Sequence, residues 1–133
     1  MKFHEKNPPR RFMVGTEVKF EMQDCGALIL EPDEQVTFGT DAGGEYDVAR
    51  KDWGFYATPS LNGRLESFGL RAVLIRNTMT DLYFILLVER GQEVNFQAYL
   101  KQESCEVIVW LDNTETLSRL RAAVAGDLTP SSS

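Results

Sequence analysis

The sequence predicts an α+β fold in one domain, with a largely antiparallel sheet or small open barrel over residues 16–90, then helix, strand and helix. Three observations carry this. Apolar residues alternate with a period of two through the first two-thirds of the chain, and after Gly91 the period lengthens to about 3.6. Clusters of Gly, Pro, Asn and Asp separate the alternating stretches, as turns between strands require.

A chain of 133 residues with 43% apolar and 26% charged residues falls at the size and composition of one globular domain. The net charge of −6 argues against nucleic acid as a partner, because neutralising phosphates takes a dense surplus of Lys and Arg. No stretch approaches the roughly 18 apolar residues of a membrane span, and the first eleven residues have no apolar leader core, so neither a membrane nor export is expected. The protein is read as cytoplasmic.

Residues 1–12, rich in charge and carrying Pro8 and Pro9, read as a mobile tail; 13–126 form the domain, and the small polar end 127–133 reads as a disordered tail. From Thr16, Val18, Phe20 and Met22 alternate on one face of a strand. A second strand covers Ala27 to Leu30, Pro32-Asp33 turns the chain, and Val36 with Phe38 makes a third short strand before the turn Asp41-Ala42-Gly43-Gly44. Tyr46 and Val48 then put the apolar face on even positions, whereas Trp53, Phe55 and Ala57 put it on odd ones. A period of two cannot change parity without a bulge or bend, so a break is expected over Ala49 to Asp52, and Pro59 ends regular pairing.

Leu70 to Ile75 and Leu82 to Val88 are apolar runs of strand length joined by Asn77 to Asp81, a central hairpin covered on both faces. Phe96, Tyr99 and Leu100 fall at helical spacing within a helix over Gln92 to Glu103. Glu106 to Leu111 reads as a buried strand, and Asp112 with Glu115 resembles a capping box opening a helix that has Leu117, Leu120 and Val124 on one face and ends at Gly126.

Few constellations with chemical potential survive inspection. Cys25 and Cys105 lie in no zinc or redox spacing and read as free, partly buried thiols. His4 is the one histidine, which removes Ser-His-Asp, Cys-His and His-rich metal chemistry, and no metal or cofactor motif is present. Glu31, Asp33 and Glu34 read as a solvated loop rather than a cation site. Arg76 and Arg90 fall at strand ends where charges are expected, and with Arg71 they make no clear anion site.

The informative segment is Arg50 to Leu65, where aromatics, charges and hydrogen-bonding side chains crowd together. Arg50, Asp52, Tyr56, Asn62 and Arg64 are the candidate ligand-binding residues, because a flat aromatic beside directed polar groups suits a sugar or nucleotide. Trp53, Phe55 and Leu65 read as core, so Trp53→Ala is expected to cost about 3 to 5 kcal/mol.

The segment Lys51-Asp52-Trp53-Gly54-Phe55-Tyr56-Ala57-Thr58-Pro59-Ser60, with Asn62, Arg64, Leu65, Gly69 and Leu70 after it, resembles a group of small bacterial proteins. Similarity extends through Ala72 to Asn77 and more loosely to Val109-Trp110-Leu111-Asp112. The group is associated with surface-polysaccharide gene clusters, and the resemblance implies a cytoplasmic accessory role touching nucleotide sugars or glycan enzymes. It transfers no catalytic activity.

The leading reading is therefore a small binding or accessory protein for a sugar-like or nucleotide-like ligand, such as a nucleotide sugar, or for a partner protein. One alternative is a metal-independent enzyme on an activated sugar, with Tyr56 and Asp52 as acid and base. Another is a structural subunit that forms a homodimer through an unpaired edge strand of the central hairpin.

Overall fold

A computed structural model describes residues 1–16 and 18–128 of the chain. It is α+β, with eight strands in three unclosed antiparallel sheets rather than one sheet or a barrel. β1 (Lys2–Val14) and β2 (Phe20–Ile29) form a ribbon; β3 (Gln35–Gly39), β4 (Glu45–Lys51) and β5 (Gly54–Thr58) form a meander; the third sheet has the order β7-β6-β8, with β6 spanning Leu70–Asn77, β7 Tyr83–Glu89 and β8 Cys105–Trp110. The helices are α1 (Arg64–Ser67), α2 (Glu93–Gln102) and α3 (Thr114–Leu128). The change of period at Gly91 thus marks the boundary between mostly strand and helix-strand-helix, with the single turn of α1 the exception.

The N-terminal segment is not a tail. It is the longest strand, and the two strands expected from Thr16 and over Ala27 to Leu30 are one β2 paired along it. In a two-stranded ribbon both strands are edges, so prolines without an N–H can face outward, and the register shifts between Glu5 and Arg10 where Pro8 and Pro9 sit. Lys6 and Arg10 both reach Asp24 across the ribbon. Gly26 is required where it stands: its φ is 145°, and a Cβ there would meet the His4 carbonyl oxygen at 2.4 Å.

Strand parity also resolves differently. β4 runs unbroken through Lys51, and the chain reverses at Asp52-Trp53, so the aromatic strand is a new strand folded back beside β4. A hairpin turn changes the parity of the apolar positions without any bulge. Trp53 lies in that turn at 71% exposure and Phe55 is 65% exposed, which overturns the expectation that both are core. Leu65, by contrast, is completely buried.

β6 is the centre of the fold, hydrogen-bonded on both sides. Its odd positions Val73 and Ile75 pack with Val88 under Phe96 and Leu100 of α2. Its even positions Leu70 and Ala72 pack with Leu65 and Leu111, with Tyr46 and Leu117 against them. α3 is covered only over its first turns, since Leu117 reaches this cluster while Leu120 and Val124 are exposed. Its cap is Asn113, whose side-chain oxygen accepts from the Thr116 N–H at 3.1 Å; Asp112 is turned to Arg71 instead. The helix continues past Gly126 to Leu128, and the remainder of the expected C-terminal tail, 129–133, lies outside the described residues.

The meander meets the central sheet through the β3–β4 turn. Glu89 at the end of β7 accepts from the Gly44 N–H at 3.1 Å and from the Thr40 hydroxyl, and the Glu45 N–H donates to the Phe68 carbonyl.

Candidate ligand cleft at the β4–β5 hairpin

The β4–β5 register sets Arg50 opposite Phe55 and Lys51 opposite Gly54, leaving Asp52 and Trp53 as the turn. Directly opposed residues share a face, so the Arg50 and Phe55 side chains lie together. Gly54 has φ 143°, which the reversal demands and a larger residue resists. Arg50 Nη1 donates to the Leu30 carbonyl at 2.7 Å and ties the hairpin to the chain leaving β2. Between them lies a cleft of about 510 Å³ lined by Leu28 to Leu30 and by Arg50, Asp52, Trp53 and Phe55. Lys51 also borders it, hydrogen-bonded to Asp33, and that bond raises the ammonium pKa.

The other three candidates lie elsewhere. Tyr56 is exposed opposite Ala49, on the reverse face of the sheet from Phe55. Asn62 Nδ2 donates to Thr114 Oγ1 at 3.1 Å and tethers the loop before α1 to the start of α3. The Arg64 guanidinium sits 5.3 Å over the Phe68 ring. Arg50 and Asp52 therefore share the cleft, and Tyr56, Asn62 and Arg64 do not line it.

A second cleft of about 410 Å³ is lined by Glu66, Arg71, Arg90, Trp110, Asp112 and neighbours at the start of α3. Arg71 Nε donates to Asp112 Oδ2 at 2.6 Å while its guanidinium stacks 4.0 Å over the Trp110 ring. The hydrogen bond to Asp112 raises the Arg71 pKa. Arg90 Nη2 donates to the Glu66 carbonyl at 2.7 Å. The cations are bonded within the chain and, unlike the exposed Trp53, the Trp110 ring is covered by a guanidinium, which makes this cleft a structural clasp first. Arg71 and Asp112 stand 41 positions apart, so no spacing rule signals their meeting. Arg76 is likewise held by Asp81 and Glu106.

Among the described residues no group of three or more His, Cys, Asp or Glu is placed to hold a metal ion, and no helix is long and apolar enough to cross a membrane. Cys25 and Cys105 are free, Cys25 exposed and Cys105 half-buried. No family model, no curated protein and no solved structure matches the chain.

Proposed function

We propose that the chain is a small cytoplasmic binding protein, accessory to surface-polysaccharide synthesis, that holds a sugar- or nucleotide-like ligand in the β4–β5 cleft. The observation that carries this is the exposure of Trp53 and Phe55 beside Arg50, Lys51 and Asp52 on one hairpin. Large aromatics left in water at a hairpin tip are a cost to the monomer unless something stacks on them. An indole offers a flat apolar face to a sugar ring or base, and the Asp52 carboxylate beside it can accept directed hydrogen bonds.

The acid–base alternative finds less support, since Asp52 borders the cleft while Tyr56 stands on the other face of the sheet. A partner protein remains a second reading of the same cleft, favoured by the Trp53 indole, because Trp and Arg are the residues that most often anchor interfaces.

The test is fluorescence titration of a Trp110→Phe variant, in which Trp53 is the sole indole, with UDP-glucose, UMP and glucose. Saturable quenching by at least one of the three, lost in Asp52→Ala, is the expected result. No change with any of them at millimolar concentration removes the small-ligand reading and leaves the cleft to a partner protein.

A further inference from the structure

The chain leaves more surface in water than a compact monomer of its mass. The chain exposes 9564 Å², whereas a compact monomer of 15.1 kDa exposes roughly 7,100 Å². Much of the excess belongs to the β1–β2 ribbon, whose strands pack chiefly on each other.

A separate apolar exposure lies on the central sheet. β7 is an edge of the central sheet, and Leu82 to Val88 is a seven-residue run with no charge, Gly or Pro. Tyr83 and Ile85 are 55% and 57% exposed on one face, and Phe84 is 46% exposed on the other. The remaining edges are guarded. β8 carries Glu106 and a register shift that leaves Ile108 unpaired, β3 and β5 have five residues each, and the β1–β2 ribbon is laced with charge and proline. Among the described edge strands, β7 alone presents a long stretch free of charge, Gly and Pro, from Tyr83 to Val88.

The ladder shows which backbone groups are free. The Asn77 N–H donates to the Leu82 carbonyl and the Arg90 N–H to the Gly69 carbonyl, so even positions of β7 bond β6. The amides of Tyr83, Ile85 and Leu87 point away from the sheet.

We propose that β7 pairs antiparallel with β7 of a second copy across a two-fold axis, joining two central sheets into one of six strands. A two-fold axis normal to the sheet keeps each residue on its own face, so opposed residues must share parity. An axis at Ile85 sets Asp81 against Glu89 of the other copy, two carboxylates facing each other. An axis at Leu86 removes that conflict: Ile85 opposes Leu87, Phe84 opposes Val88, and Leu82 meets the stem of Arg90. The half-covered face carrying Leu74, Ile85 and Leu87 then continues into its copy as one apolar strip.

The occupant is a second copy because the run is self-complementary in this register: apolar residues oppose apolar ones on both faces and no like charges meet.

Sedimentation equilibrium of the full chain tests this, with twice the 15.1 kDa chain mass expected from low micromolar concentration upward. Ile85→Lys puts a charge at an exposed position and is expected to weaken association at least about tenfold, whereas Ile108→Lys on the β8 edge leaves the dimer intact. In a Cys25→Ser, Cys105→Ser background, Leu86→Cys is expected to cross-link the two copies on oxidation, since opposed Cα atoms in a non-hydrogen-bonded pair lie about 4.5 Å apart. Ile85→Cys, offset by two residues from its own copy, is expected not to. A monomer at every concentration, a dimer indifferent to Ile85→Lys, or a folded Leu86→Cys protein that fails to cross-link overturns the proposal.

Discussion

Truncating Trp53 and Leu65 in parallel separates an aromatic at the surface from an aliphatic in the core. Leu65 is completely buried among Leu70, Ala72 and Leu111, so Leu65→Ala removes three buried carbons worth about 0.8 kcal/mol each. The cavity left behind raises the total to about 3 to 4 kcal/mol, inside the usual range for such truncations. With an unfolding entropy of about 2.1 cal/mol/K per residue over 133 residues, this lowers Tm by roughly 10 to 14 °C. Trp53 is 71% exposed, so less than a third of its surface is buried. Of the roughly 250 Å² that an indole side chain offers, about 70 Å² is then at stake, worth at most about 2 kcal/mol. The assay is urea unfolding of both variants and the parent at two protein concentrations, with the slope m checked for constancy. Trp53→Ala costing as much as Leu65→Ala at both concentrations refutes the placement of the indole in water.

Two further outcomes follow from the charges and thiols. The hydrogen bond from Lys6, aided by the Gly26 N–H, holds the Asp24 carboxyl below its ordinary value of 3.8; its contribution to stability is present above that value and lost as pH falls through the lower folded pKa. A carboxyl-carbon NMR titration is expected to show this, and Lys6→Met to move Asp24 upward; an unmoved Asp24 contradicts the β1–β2 pairing. Burial pushes the half-buried Cys105 thiol up, so Ellman's reagent at mildly alkaline pH is expected to react in two phases, with the fast one lost in Cys25→Ser. A single phase with both thiols equivalent contradicts the burial of Cys105.

Much of the fold is legible in the chain, because periodicity is a local property. The runs at Leu70 to Ile75 and Leu82 to Val88 are strands, Phe96 and Leu100 mark the buried side of α2, and Leu65 is core. Lys2 to Val14 escaped recognition because Pro8 and Pro9 break strand propensity, and pairing with β2 restores it around a register shift. Trp53 and Phe55 carry the signature of core residues, yet the hairpin that displays them brings no element over their faces. Of the candidate site, Arg50 and Asp52 meet at one cleft because the register places them there. Tyr56 differs from Phe55 by a single position, which sends it to the opposite face.

The sequence by itself determined the class, the order of strands and helices after β2 apart from α1, and the mixed chemistry of the hairpin. All of these follow from alternation, turn residues and composition within a few positions of one another. The tertiary structure alone decided which sheet each strand joined, which faces stayed uncovered, and that Arg71 and Asp112 clasp across 41 positions. The physical reason is that an apolar side chain is written the same way whether its partner is another segment of the chain or nothing at all. Coverage depends on where distant segments arrive, and β7 is an edge only because β8 took the other side of β6.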